Sequence, residues 1–154
     1  MLVWRVALIA LITLIATQAL GRDYEGLRLL AYRDPGGTLT ICYGHAMSAH
    51  DAASMTRAQC DALRAADVRH ARRSVSACVV REVTPKQEQA LEDWFFNVGA
   101  TRACRSHLVR MINLGAAPSD WCRQLLFWNR VDGIEIPGLV RRRRDEYMLC
   151  IPHP

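Results

Sequence analysis

Residues 24–46 read Tyr-Glu-Gly-Leu-Arg-Leu-Leu-Ala-Tyr-Arg-Asp-Pro-Gly-Gly-Thr-Leu-Thr-Ile-Cys-Tyr-Gly-His-Ala and contain the strongest local signals in the chain. The sequence Asp-Pro-Gly-Gly at 34–37 is a strong turn signal. The residues that follow it, 38–43, are rich in β-branched and aromatic side chains, which favour a strand. The stretch therefore predicts a small β-hairpin closed by a tight turn.

Two carboxylates flank this predicted hairpin. Leu27, Leu30 and Ala31 follow Glu25 at helical spacing, which places Glu25 near the end of a short helix. A helix end and a hairpin turn would bring Glu25 and Asp34 to one cleft. Glycoside hydrolysis needs such a pair, with one carboxyl protonated as general acid and the other ionised. Carboxylates at this separation are common by chance, so the pair alone does not establish catalysis.

The whole stretch resembles, in residue type and spacing, the active-site segment of the phage-type lysozymes, the muramidases of glycoside hydrolase family 24. The resemblance implies that Glu25 is the proton donor, that Asp34 positions or activates water, and that Thr40 completes the triad. The implied reaction is hydrolysis of the β-1,4 bond between N-acetylmuramic acid and N-acetylglucosamine, with no metal or cofactor. The family usually has Gly at the position of Cys42, and Cys there marks endolysins that retain an N-terminal membrane segment.

Two other functions remain alternatives. A lytic transglycosylase needs no water nucleophile and usually lacks the second carboxylate, so Asp34 argues against it. An inactive wall-binding module that has kept the fold is the other, and the intact set of Glu25, Asp34 and Thr40 argues against that.

The resemblance implies an α+β fold that is mostly helical, with a small hairpin lobe. We expect a signal-anchor segment at 1–20 and a lysozyme-like domain at 21–154. Within that domain the small lobe is predicted at about 24–55, a connecting helix at about 56–76 and a helical lobe at about 77–154.

The charge of the chain favours an anionic partner. The 154 residues carry a net charge of +5, and Lys86 is the only lysine among 20 basic residues. Cell-wall polymer and membrane headgroups both fit a basic surface. Nucleic acid is not expected, because the sequence has neither zinc-finger spacing nor an RNA-binding signature. We expect a monomer that acts on peptidoglycan.

Residues 2–20 form an apolar run that begins near Arg5 and, as a helix, would span roughly 30 Å. A cleaved signal peptide, a permanent anchor and a signal-arrest-release segment are the three interpretations. We favour release, because no Ala-x-Ala cleavage site precedes Gly21 and the run ends just before Glu25. Arg5 predicts a cytoplasmic N-terminus in the host inner membrane, and release would deliver the enzyme to the periplasm.

Later segments carry clear helix signals. Thr56 and Gln59 form one capping box, and Thr84 and Gln87 form another with Pro85 at the first helical position. We predict an aromatic core in the second helix and a mostly solvated basic face on the first, formed by Arg57, Arg64, Arg69, Arg72 and Arg73.

The C-terminal helix and the histidines predict structural roles. Of the four consecutive arginines 141–144, one or two are expected in ion pairs and the rest in solvent. His45 is expected to pair with a carboxylate rather than to act as a ligand or a base. Gly133 and Pro137 are expected to bound a loop.

Six cysteines and an export segment predict disulfides in an oxidising compartment, and no Cys-x-x-Cys suggests a zinc or redox site. Sequence alone leaves many pairings open. The family resemblance implies Cys42–Cys60, Cys78–Cys104 and Cys122–Cys150.

Overall fold

The computed structural model describes residues 26–151. Glu25 and the predicted membrane segment 2–20 lie outside this part of the chain. Among residues 26–151, no helix is long and apolar enough to cross a bilayer. The described elements form a small sheet followed by a mostly helical lobe, which confirms the predicted α+β class.

The small lobe is a three-stranded antiparallel sheet of β1 (Arg28–Arg33), β2 (Leu39–Cys42) and β3 (His45–Ala46), in that order. The first two strands form the predicted hairpin, with Tyr32 opposite Thr40. The Asp-Pro-Gly-Gly turn places them side by side, so the turn chemistry predicted the hairpin although it did not identify its first strand.

The helix predicted from Leu27, Leu30 and Ala31 is wrong, because Arg28–Arg33 is the first strand. Leu30 is 68% exposed, so the segment has no buried helical face. The backbone of β1 instead bonds on both sides: β2 pairs with one edge, and the Ala31 N–H donates to the Ala53 carbonyl on the other. Three apolar positions are too few to establish a helical period, and non-local pairing decided the outcome.

Helix α1 (Arg57–Cys78) follows the sheet and begins at the predicted capping box, where the Thr56 N–H donates to Gln59 Oε1 at 2.8 Å. The solvated basic face predicted for α1 is wrong at Arg64, which is 1% exposed. Its guanidinium carbon lies 4.1 Å from the centre of the Phe96 ring. A cation over an aromatic face is stabilised by the ring quadrupole, so Arg64 belongs to the interior of the protein.

The helical lobe packs around an aromatic core. Trp94 and Phe95 are buried as predicted, and Trp128 packs edge-on against Trp94 with ring centroids 5.1 Å apart.

The segment between Gly133 and Pro137, predicted as a loop, contains the second strand of a short two-stranded hairpin. The elements of the lobe are α2 (Pro85–Val98), α3 (Ala100–Cys104), α4 (His107–Asn113), α5 (Pro118–Arg123), a 3-10 helix (Gln124–Phe127), β4 (Arg130–Val131), β5 (Ile134–Glu135) and α6 (Pro137–Cys150).

A buried ionic network joins α2 to α6. Arg142 donates to both oxygens of Asp93, from Nε at 3.0 Å and from Nη2 at 3.1 Å. Arg143 Nη2 lies 2.8 Å from Glu146 Oε1. All four side chains are at most 2% exposed, whereas Arg141 is exposed. The prediction that one or two of the four arginines form ion pairs is confirmed.

Three disulfides connect the elements, and they are the pairs that the family resemblance implies. Cys42–Cys60 joins the sheet to α1, Cys78–Cys104 joins α1 to α3, and Cys122–Cys150 joins α5 to α6. In the chain-entropy model, loops of these lengths contribute about 3 kcal/mol each.

Candidate active site

A cleft of about 410 Å³ lies between the sheet and the helical lobe. The hairpin forms one wall with Asp34, Thr38 and Thr40. The second wall is the end of α2 and the start of α3, and α1 contributes Asp67 and His70. Two of the three predicted catalytic residues therefore line one cleft, and the third, Glu25, lies outside the described residues, one position before Gly26.

Asp34 is fixed by the hairpin turn. Its Oδ1 accepts a hydrogen bond from the Thr38 N–H at 2.8 Å, and its own N–H donates to the Thr38 carbonyl at 3.0 Å. The Gly37 N–H closes the turn onto the Asp34 carbonyl at 2.9 Å, with Gly37 at a φ of 81° that suits glycine. The side chain is half-buried, and a backbone contact within its own turn holds it.

Thr40 is held by the same residue, Thr38, through its carbonyl group. Its Oγ1 donates to the Thr38 carbonyl at 3.0 Å, and the residue is 3% exposed. Because the hydroxyl proton is committed to the Thr38 carbonyl, the lone pairs of Oγ1 remain able to accept a hydrogen bond from water. Asp34 and Thr40 are therefore both anchored on Thr38, which fixes their relative positions.

Side-chain hydrogen bonds, in addition to the Cys42–Cys60 disulfide, connect the small lobe to α1. His45 Nδ1 lies 2.9 Å from Asp67 Oδ2, and its Nε2 lies 3.5 Å from Asp51 Oδ2. The Tyr43 hydroxyl donates to Asp61 Oδ1 at 3.0 Å. The prediction that His45 pairs with a carboxylate is confirmed. Its partner Asp67, far away in the sequence, could not be identified from spacing.

The hydrogen bond that His45 donates to the Asp67 carboxylate raises the pKa of His45, with a further contribution from the Asp51 carboxylate, and these outweigh the opposing effect of burial. A raised pKa means that folding favours the protonated imidazole. This stabilisation is fully present below the unfolded-state pKa of about 6.5 and disappears as pH rises through the folded-state value.

We therefore expect the free energy of unfolding to fall as the pH rises through and above about 6.5. Asp67→Asn should remove most of this slope and cost about 1.5–3 kcal/mol at pH 6, the range for hydrogen bonds to charged groups. Asp61→Asn, on the same helix, is the control and should keep the slope. Urea denaturation between pH 5.5 and 8 measures both, and an unchanged slope in the Asp67 variant would contradict the assignment.

The α2 wall carries residues that motif spacing did not single out as site residues. Asn97 lines the cleft near the end of α2, and Gly99 and Ala100 continue the wall into α3. Asn97 Oδ1 accepts a hydrogen bond from the buried Arg143 at 2.9 Å. Within residues 26–151, no cluster of His, Cys, Asp or Glu has the arrangement that a metal ion needs.

Comparisons with known proteins find a phage lysozyme family, endolysins and a muramidase domain similar to this chain. The sequence profile of the family described as phage lysozyme matches residues 22–146. A SAR-endolysin of bacteriophage PS119 is 32% identical over 145 residues, which are 93% of this chain and 86% of that protein. The muramidase domain of SpmX from Asticcacaulis excentricus superposes with a TM-score of 0.76 at 30% identity, covering 90% of this chain and 96% of that one. An endolysin from Escherichia coli O157:H7 phage FAHEc1 gives a TM-score of 0.74 at 26% identity, covering 88% and 90%.

Proposed function

The chain belongs to the phage lysozyme family, and on this premise we propose that it is an endolysin that cleaves the β-1,4 bond between N-acetylmuramic acid and N-acetylglucosamine in peptidoglycan. The observation that carries the proposal is the joint anchoring of Asp34 and Thr40 on Thr38 in the wall of the cleft. On the hairpin side the cleft is lined by the polar side chains of Asp34, Thr38 and Thr40.

In this mechanism Glu25 protonates the leaving glycosidic oxygen. Asp34 accepts a proton from a water molecule that Thr40 helps to orient, and that water attacks the anomeric carbon. The contact from the Thr38 N–H fixes the orientation of the carboxylate that acts as the base. The reaction needs no cofactor.

Asp34→Asn tests the role of the second carboxylate. The amide cannot accept the proton of water, so we expect the clearance rate of purified peptidoglycan to fall by about 10²-fold. Asp132→Asn, at an exposed turn in the helical lobe, is the matched control and should clear the wall normally. Full activity of the Asp34 variant would exclude a base at this position.

Control of the enzyme is proposed to reside in residues 2–20. The SAR-endolysin relative supports a segment that first holds the protein in the host inner membrane and later releases it into the periplasm. A weakly hydrophobic run containing Thr13, Thr17 and Gln18 can leave a bilayer at lower cost than a leucine-rich one. The rival interpretations are a cleaved signal peptide and a permanent anchor.

Mass spectrometry of the periplasmic protein after expression of the full chain distinguishes the three. Release predicts an active periplasmic form that still carries residues 2–20. A cleaved signal predicts a shorter periplasmic form, and a permanent anchor predicts activity confined to the membrane fraction.

A further inference from the structure

Asn97 is held from inside the helical lobe while it lines the cleft. It is the next-to-last residue of α2 and is half-buried. Arg143, which is 0% exposed, donates from Nη2 to Asn97 Oδ1 at 2.9 Å. The same guanidinium is held by Glu146 at 2.8 Å. The side chain of Asn97 is therefore attached to a rigid and buried support.

The contact with Arg143 determines which atom of the Asn97 side-chain amide, oxygen or nitrogen, is available to the cleft. A guanidinium group has only donors, so the atom that faces Arg143 must be the carbonyl oxygen of the amide. The two N–H groups of Nδ2 then lie on the side away from Arg143. No acceptor for them exists among residues 26–151, although the residue forms part of the cleft wall. Asn97 thus offers to an occupant of the cleft a donor that has no partner in the described part of the chain.

We propose that Asn97 Nδ2 donates to the acetamido carbonyl oxygen of a sugar bound in the cleft, and that the enzyme thereby selects N-acetylated over de-N-acetylated glycan. This inference rests on the proposed function. Sugar hydroxyls both donate and accept, so they pair with either kind of protein group. The acetamido carbonyl only accepts, and among the acceptor-only oxygens of the glycan it is the one that de-N-acetylation removes.

De-N-acetylation reverses the chemistry at that position. The acetamido group becomes an ammonium group, which has donors and no acceptor, and two donors facing each other leave both without a partner. An Asn97→Asp substitution would keep an oxygen for Arg143 and present a second oxygen to the cleft. That oxygen would accept from an ammonium group, so the substitution should reverse the preference without removing the internal support.

The test compares Asn97→Asp and Asn97→Ala with the parent protein on N-acetylated and partially de-N-acetylated glycan strands. Both variants should lose about tenfold to a hundredfold in kcat/KM on N-acetylated strands. Only the aspartate variant should gain on de-N-acetylated strands relative to the parent. Thr101→Asp, at an exposed position on α3, is the charge-matched control. It should leave unchanged the ratio of kcat/KM on N-acetylated strands to kcat/KM on de-N-acetylated strands.

A second measurement separates this inference from the proposed function. The ¹⁵N-labelled side-chain amide of Asn97 is followed by NMR during titration with the N-acetylglucosamine trimer and with the glucosamine trimer. A shift with the first and not the second supports the inference even if the protein fails to hydrolyse peptidoglycan. Equal responses to both trimers, full activity of Asn97→Ala on N-acetylated strands, or equal changes in Thr101→Asp and Asn97→Asp would overturn it.

Discussion

Glu25→Gln in the full-length chain is expected to lower the rate of peptidoglycan clearance by at least about 10³-fold, the upper part of the range for general acid catalysis. Glutamine has nearly the same shape as glutamate but has no proton to deliver to the leaving oxygen. The sugar leaving group is a poor one unless it is protonated, so the loss should appear in kcat rather than in KM. Turbidity of a peptidoglycan suspension measures the rate.

Two controls make this result specific to Glu25. Glu82→Gln changes the charge by the same amount at an exposed position on the helical lobe and should retain full activity. Thermal unfolding should give the same transition for both variants and the parent. Equal clearance by the Glu25 variant and the parent would mean that another group is the acid.

The chemical ends of the product distinguish the remaining reactions. Hydrolysis leaves a reducing muramic acid end, whereas a lytic transglycosylase leaves a non-reducing anhydromuramic acid end, formed when the sugar's own hydroxyl group replaces water. A transglycosylase would depend on Glu25 and be indifferent to Asp34→Asn, because it uses no water nucleophile. An inactive wall-binding protein would bind peptidoglycan, but neither the parent nor any variant would clear it.

The features that sequence predicted correctly depend on nearby residues. The Asp-Pro-Gly-Gly turn fixes the hairpin through backbone bonds within a few positions, and that turn in turn places Asp34 and Thr40 around Thr38. Both capping boxes are similarly local, with donor and acceptor three residues apart. Such signals are complete within the sequence window in which they are read.

The features that sequence missed depend on distant partners. The apolar spacing near Leu30 could not reveal that β2 and the backbone near Ala53 would pair with β1. The charge pattern of α1 could not reveal that Arg64 meets the Phe96 ring. Asn97 was not identified as a site residue, because its orientation is set by Arg143, which lies far along the chain. Packing between remote elements decided each case.

The buried network between α2 and α6 has an asymmetry that predicts the second large effect. Burial strongly raises the pKa of Glu146, and the neighbouring Asp93 carboxylate raises it further against the opposing effect of Arg143. Burial also raises the pKa of Asp93, but the bidentate contact with Arg142 outweighs it and lowers that pKa below its usual range. The buried network therefore favours the ionised form of Asp93 and the protonated form of Glu146.

Asp93→Ala should consequently cost about 3–5 kcal/mol in the free energy of unfolding at pH 7, because it removes the carboxylate that compensates the buried Arg142. Glu146→Gln should cost less than about 1 kcal/mol, since the neutral amide has the shape of the protonated form that the network favours and keeps an oxygen that can accept from Arg143. Both carboxyl groups are 1% exposed and both lie within ion-pair distance of Arg142, so burial alone does not distinguish them.

Urea denaturation at pH 7 compares the two variants directly, and the sign of the pH dependence gives a second check. A lowered folded-state pKa at Asp93 contributes stability that is present above its unfolded value of about 3.9 and is lost in acid. The Asp93 variant should lack this loss, whereas Glu146→Gln should retain it. A larger cost for Glu146→Gln than for Asp93→Ala would contradict this assignment and would make the Arg143–Glu146 pair within α6 the more important of the two.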